Sequence, residues 1–424
     1  MRPPALFSTS CFLTRWLPLL SALLLLALYY YATATGLSGT GDSRFYLFAA
    51  HSWRESGRLL NPDGTPYRFW PPLFPLLLSG AGTVARLRAL HAACLAGSLL
   101  LWSAAARQVL PVRRTAVVPV LLAFSASALA LSKFVWAETV FGLLWAGYVW
   151  ALLHWRRTGS RTAFWLSAGF GFLMPLQRAN GMFLLLGVGA ALLLERRRAG
   201  RSGRAIRLGH AGLALAGAML WFWRVRQLPG PEILYTNLGL EQLLSSLADY
   251  GFVLGRWLLP LAAGWRPAVA AGAWATGLLG LLIALWPRTK SFVDAPVLLP
   301  TAPQPAFDDQ DPAIALRLLW AGAVACLLLL LLATVFSRSA AGVDDSERYV
   351  SVLYPVVVLL TLHNWPSGGS GWLARRVGPV AWRRLSRALL LAWLLYAGVR
   401  TLHNARRLYQ LPPTEWLPTR ISPE

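Results

Sequence analysis

Charge is scarce in this chain of 424 residues: Asp, Glu, Lys and Arg together make up 13%. A soluble protein of that length needs far more polar surface to cover its core, so a soluble globular class is excluded. Lysine is almost missing, since only Lys133 and Lys290 are not Arg among 40 basic residues. Cysteine is limited to Cys11, Cys94 and Cys326, each alone in or beside an apolar run, which excludes a disulfide framework and zinc spacing. His51, His91, His154, His210, His363 and His403 share no metal-ligand spacing. No nucleophile elbow is present. There is no internal repeat, and no soluble domain of useful size separates from the apolar blocks.

What the chain has is hydrophobicity, at 56% of residues, gathered in long blocks such as 19–31 and 318–336. Crossing a bilayer takes about 20 mostly apolar residues. The blocks predict an all-α polytopic membrane protein forming a single integral membrane domain over 1–424. The formal charge of +23 does not indicate nucleic acid as a partner, because the Arg clusters lie between apolar blocks. Arg113-Arg114, Arg156-Arg157, Arg196-Arg197-Arg198, Arg375-Arg376 and Arg383-Arg384 read as cytoplasmic loops meeting anionic headgroups.

Charge and hydropathy together predict about eleven transmembrane helices. They fall near 15–35, 89–106, 115–131, 138–155, 162–177, 180–194, 208–226, 268–286, 313–336, 349–364 and 385–400. The first is read as an uncleaved helix, because its apolar run is long and lacks a cleavage site. Residues 36–88 form a first extracytoplasmic loop. Within it 70–85 is apolar but short, and Pro71, Pro72 and Pro75 disfavour a regular helix at its start. Taking it as non-spanning puts the Arg113-Arg114, 156–161 and 196–207 stretches all on the cytoplasmic side. The acidic, Pro-rich stretch 287–312 reads as a flexible cytoplasmic loop, and 401–424 as a short C-terminal tail.

Polar residues at the outer ends of the spans are the candidate site. Gly41-Asp-Ser-Arg-Phe-Tyr46 opens a predicted helix to about Ser56, with Phe45, Phe48, Ala49 and Trp53 on the face laid in the membrane interface. Asp42 at its start reads either as an N-cap or as a carboxylate beside a cavity. Glu138 borders hydrocarbon, where an ionised side chain is costly and faces a cavity or a partner; the plain alternative is a pair with Lys133. Arg178 and Arg348, each at a membrane entrance, either snorkel or hold a phosphate, whose oxygens match the guanidinium fork. Tyr349 follows Arg348 at the same entrance.

These residues, with Asn61-Pro-Asp-Gly-Thr-Pro-Tyr67, Trp70-Pro-Pro-Leu-Phe-Pro75, Ala137-Glu-Thr-Val-Phe141, Gln177-Arg-Ala-Asn-Gly181 and Arg348-Tyr-Val-Ser-Val-Leu-Tyr-Pro355, resemble the type C membrane glycosyltransferases. The pattern is similar to bacterial members of the protein O-mannosyltransferase and aminoarabinose transferase group. The likeness is strongest over 42–80, and it departs where many relatives have Pro in place of Thr139 or paired acids in place of the single Asp42.

The resemblance implies a transferase moving a hexose or pentose from a polyprenyl-phosphate-linked donor to an extracytoplasmic lipid, glycan or protein acceptor, with inversion. It implies Asp42 as general base, Glu138 as a second catalytic acid, Arg178, Arg348 and Tyr349 at the donor phosphate, and Tyr46, Trp70 and Trp136 in the substrate pocket. Any divalent metal would sit at Asp42 and Glu138. Membrane lipids are the other partners, and a bacterial inner membrane the expected location. A large extracytoplasmic domain of the oligosaccharyltransferase kind is absent from the sequence, which argues against transfer to Asn sequons. The alternatives are a transporter or flippase of a lipid-linked sugar and a non-catalytic subunit of envelope glycan assembly. The first is disfavoured by the lack of duplicated halves, the second by the presence of both acids.

Overall fold

The computed structural model describes residues 9–195, 201–229, 239–260, 263–285, 312–336, 343–365 and 376–415. Among these the chain is helical, with two isolated β-bridges and no strand. The helices are α1 Thr9–Ala32, α2 Gly41–Ser56, α3 Leu73–Ala81, α4 Val84–Val109, α5 Val112–Thr115, α6 Val117–Ala123, α7 Ala126–Lys133, α8 Glu138–Thr158 and α9 Arg161–Gln177. They continue as α10 Asn180–Leu194, α11 Arg201–Gln227, α12 Gly239–Arg256, α13 Arg266–Leu285, α14 Pro312–Phe336, α15 Val343–Val350, α16 Tyr354–His363 and α17 Pro379–Gln410. The 287–312 loop expected to be flexible lies outside the described residues, apart from the start of α14.

Apolar residues cover both faces of several helices, and the outward faces stay uncovered. Leu19, Leu20, Leu23 and Leu24 of α1 and Leu385, Leu389, Leu391 and Leu395 of α17 are exposed. Helices apolar all round, with their outer stripe unpartnered by protein, face lipid. This is an integral membrane protein. Its core is a chain of helix pairs, α1 on α4, α4 on α8, α8 on α9, α9 on α11 and α10 on α14. At Gly187 the α10 backbone comes so close to α14 that a Cβ would lie 2.3 Å from the Ala321 carbonyl oxygen. Small residues permit such contact between membrane helices.

Among the described residues, six helices or helix groups are long and apolar enough to cross a membrane: 15–32, 84–109, 112–133, 203–227, 312–333 and 379–410. The count of eleven is therefore not established. Two of the expected spans are broken. The stretch 115–131 is split among α5, α6 and α7, with Ser125 capping α7 by accepting from the Ala128 amide at 3.2 Å. The stretch 349–364 is interrupted by a 3₁₀ turn, Ser351–Leu353, before a ten-residue α16. Pro355, lacking an N–H, sits in the first turn of that new helix.

The path of the 33–88 loop follows from hydrogen bonds at its roots. Arg88, one turn into α4, donates from Nε to Thr33 Oγ1 at 2.9 Å and from Nη2 to the Tyr30 carbonyl at 3.0 Å. The end of α1 and the start of α4 thus share one end of the bundle, so 33–88 leaves and returns on the same side. Helix α3, nine residues and so roughly 14 Å long, cannot cross the roughly 30 Å of a hydrocarbon core. Gly82 ends it in the left-handed region at φ 69°.

The other end of the bundle carries Arg114, Arg156 and Arg207. Arg114 Nη1 donates to the Leu362 carbonyl at 2.8 Å, and Arg156 pairs with Glu195 at 2.8 Å, with Arg207 beside them. The tail differs from expectation. Residues 401–410 continue helix α17. Beyond it the chain folds back onto the root of the 33–88 loop: Thr35 Oγ1 donates to the Leu411 carbonyl and the Gly39 amide to Thr414 Oγ1 at 2.8 Å.

Candidate active site

Asp42 does not cap α2. Thr40 holds the N-cap position, and its backbone amide donates to Ser43 Oγ at 3.0 Å. The same Ser43 hydroxyl donates to the Val135 carbonyl at 2.9 Å, which docks α2 on the 132–137 turn. The buried residues of α2 are Ser43, Tyr46, Leu47, Ala49, Ala50 and Ser52, while Trp53 is exposed. The face turned to the protein is centred on Tyr46 and Ala50; of the face expected in the membrane interface, Trp53 is exposed and Ala49 is buried. With the cap supplied by Thr40, the Asp42 side chain is left to another partner. Its Oδ2 lies 2.7 Å from Arg348 Nη1.

Glu138 opens α8, and it does not pair with Lys133. That lysine is buried and donates to the Ala32 carbonyl at 3.2 Å and Thr35 Oγ1 at 3.0 Å. Glu138 Oε1 instead receives both Arg178 Nη1 and Arg348 Nε. Gln177 sets this up, because its Nε2 donates to the Ala137 carbonyl at 2.9 Å and ties the end of α9 to the start of α8. Gly181 lets α10 turn tightly against that end: a Cβ there would sit 2.6 Å from the Met174 carbonyl carbon.

The result is a quartet of two carboxylates and two guanidiniums. Side-chain exposure is 4% for Glu138, 7% for Arg348 and 12% for Arg178, against 31% for Asp42. Trp136 lies under the Arg348 guanidinium at 4.2 Å, and the Tyr349 ring is 5.6 Å from that of Arg178. Trp136 is held by its own Nε1, which donates to Thr40 Oγ1 at 2.8 Å. Burial works against the Arg348 charge, but Glu138 and Asp42 outweigh it and hold the guanidinium above its ordinary pKa. Burial, with Glu138 next, pushes the Tyr46 hydroxyl up as well, so it stays a neutral donor.

Below the quartet an apolar cleft of about 810 Å³, its open mouth included, enters the helices. Glu138, Arg178, Arg348 and Tyr349 stand among its walls, and Leu95, Leu99, Trp102, Phe141 and Trp145 line it further along α4 and α8. Asp42, Tyr46, Trp70 and Trp136 are not among the lining residues. Trp70 packs with Phe45, Tyr46, Tyr67 and Phe69. It holds the 33–88 loop together and does not face the cleft. Thr139 and Asn180 do line it; both sit inside segments that the sequence singled out for their charged neighbours.

No group of three or more His, Cys, Asp or Glu side chains converges among the described residues. The two carboxylates that a divalent ion would need already face guanidiniums. As arranged, that donor set fits arginine and not a metal cation.

The all-helical membrane bundle has the fold of solved type C glycosyltransferases. The chain is similar in structure to ArnT from Cupriavidus metallidurans bound to undecaprenyl phosphate, with a TM-score of 0.50 and 17% identity over 92% of this chain and 76% of that one. Two further solved structures are also similar. The Archaeoglobus fulgidus oligosaccharyltransferase tethered to an acceptor peptide has a TM-score of 0.48 and 12% identity, over 95% and 56% of the two chains. Arabinosyltransferase EmbB from Mycobacterium smegmatis has 0.43 and 14%, over 96% and 42%. No family model and no curated protein matches the chain.

Proposed function

We propose that this chain is a membrane glycosyltransferase that takes a sugar from a polyprenyl-phosphate carrier and passes it to an acceptor hydroxyl on the extracytoplasmic side. The observation that carries this reading is the convergence of Glu138, Arg178 and Arg348 on the wall of an apolar cleft, with Asp42 paired to Arg348. The cations suit a lipid phosphate, and the apolar walls suit its isoprenoid tail. The undecaprenyl phosphate bound by ArnT is the same class of ligand. The sidedness rests on Arg114, Arg156 and Arg207 at the opposite end of the bundle.

Glu138 is enclosed and shared by both arginines, so its part is to hold the two guanidiniums at one point. Asp42 is the more open acid and the candidate base. Arg348 pairs with Asp42 in the structure, so an arriving phosphate competes with that carboxylate for the guanidinium. Once displaced, Asp42 takes the proton of the acceptor hydroxyl as the acceptor oxygen bonds to the anomeric carbon. The bond from that carbon to the phosphate oxygen breaks on the opposite face, which inverts the configuration. Its electron pair leaves with the lipid phosphate, where Arg178 and Arg348 meet the growing charge. The sugar is a hexose or pentose, and the acceptor a lipid, glycan or protein.

The experiment is a comparison, by mass spectrometry, of lipid-linked sugars and surface glycans in cells with and without the protein, and with Asp42→Asn in its place. Loss of one glycan with build-up of its polyprenyl-phosphate donor is the expected result. Unchanged glycans and carriers in all three strains rule the reading out.

A further inference from the structure

Arg348 sits on α15, an eight-residue helix followed directly by the 3₁₀ turn. A helix that short does not hold itself in place, because nucleation is unfavourable and few intrahelical bonds follow. Something outside it must set the angle at which Arg348 reaches Asp42 and Glu138. The preceding residue, Glu347, lies about 100° round the same helix and faces a different set of partners. Its Oε1 accepts from Ser127 Oγ of α7 at 2.6 Å and from Arg400 Nη2 of α17 at 2.7 Å. Its Oε2 pairs with Arg256 at the end of α12. Tyr396 of α17 donates its hydroxyl to the Arg256 carbonyl at 2.7 Å, closing that side of the cluster.

We infer that Glu347 is a positioning residue for Arg348 and thereby sets the donor-phosphate site, a role that rests on the reading of Arg348 as a phosphate ligand. The two neighbours form opposite halves of one device. Glu347 is a carboxylate between two guanidiniums, and Arg348 is a guanidinium between two carboxylates. One carboxylate ties α15 to three other helices, and so fixes the rotation of the helix that presents Arg348. The side chain is 17% exposed and forms no part of the cleft walls, so its effect on ligand must pass through its neighbour.

Two readouts on the purified full-length protein test this. The first needs no ligand: the coupling between Glu138→Gln and Arg348→Gln in the unfolding midpoint, measured with Glu347 and with Glu347→Gln. The expected result is that the coupling falls to less than half once Glu347 is lost. A coupling that stays the same overturns the proposal. The second is equilibrium binding of undecaprenyl phosphate. Glu347→Gln should weaken it about 10-fold in the parent and less than about 2-fold in an Arg348→Ala background. An equal loss in both backgrounds also overturns it. Glu347→Asp keeps the charge on a shorter arm and should recover part of both effects; it serves equally if the Gln variant does not fold. If Arg348→Ala binds the lipid normally while the coupling still collapses, the positioning role stands and the phosphate reading falls.

Discussion

Replacing Glu138 by Gln removes one charge and keeps the volume of the side chain, which isolates the electrostatic part of the quartet. In the parent, one oxygen holds Arg178 and Arg348, and all three side chains are nearly closed to solvent. Removing one partner of a buried ion pair typically costs about 3–5 kcal/mol, because the remaining charge is left buried and uncompensated. Arg348 keeps Asp42, whereas the described contacts leave Arg178 with the Tyr349 ring alone. The amide oxygen of Gln still accepts one bond, worth roughly 1 kcal/mol. The expected loss is therefore about 2–4 kcal/mol, with Glu138→Ala at or above the upper end. Asp42→Asn breaks a pair that is a third exposed on the acid side, so solvent screening keeps its effect on stability to about 1 kcal/mol or less. Chaotrope unfolding of the detergent-solubilised protein measures all three. A Glu138→Gln protein as stable as Asp42→Asn would refute the placement of Glu138 as the anchor of both arginines.

Asp42→Asn should lower transfer by about 10²–10⁴-fold while leaving the protein inserted, since Thr40 rather than Asp42 caps α2; near-parental turnover at matched protein level would remove Asp42 as the base. Arg178→Lys keeps the charge and loses the fork, so initial-rate measurements should place it between the parent and an Arg178→Ala chain that is slower by about 10–100-fold. Single cysteines at Arg58 and Ala205, both exposed and at opposite ends of the bundle, should react with an impermeant thiol reagent from opposite sides of sealed vesicles, Arg58→Cys from outside; reaction from one side would overturn the topology. Ending the chain at Gln410 removes the hydrogen bonds that Thr35, Ser38 and Gly39 donate to Leu411, Pro412 and Thr414, at about 0.5–1.5 kcal/mol each. Limited proteolysis should then cut within 57–66 faster than in the parent, and an unchanged cleavage rate would mean the tail does not support the loop.

Some of this was legible in the residues because it depends on short-range pattern. The helix from Gly41 to Ser56 follows from its apolar spacing and its start. The non-crossing path of 70–85 follows from three prolines in a short apolar run. Asp42, Glu138, Arg178 and Arg348 stood out because a charge beside hydrocarbon is costly wherever it occurs. Other features were hidden. Trp70 looked like a pocket residue, but its ring has four aromatic neighbours that no spacing rule brings together. The broken spans at 115–131 and 349–364 kept the hydropathy of whole ones, since hydropathy does not register where backbone hydrogen bonds stop. Glu347 gave no signal beyond lying next to Arg348.

The sequence by itself determined that the chain lives in a bilayer, which ends of its helices carry the basic clusters, and which few charged residues stand against hydrocarbon. Those properties are set by composition and local periodicity, and burial free energy scales with them directly. Only the tertiary structure decided which charge meets which. Asp42 and Arg348 are separated by most of the chain, and Glu138 reaches Arg178 and Arg348 only because Gln177 ties α9 to α8 and Glu347 ties α15 to three other helices. Pairing in a low-dielectric interior is a matter of a few ångströms, and distances of that size are fixed by packing between helices rather than by the order of residues within one.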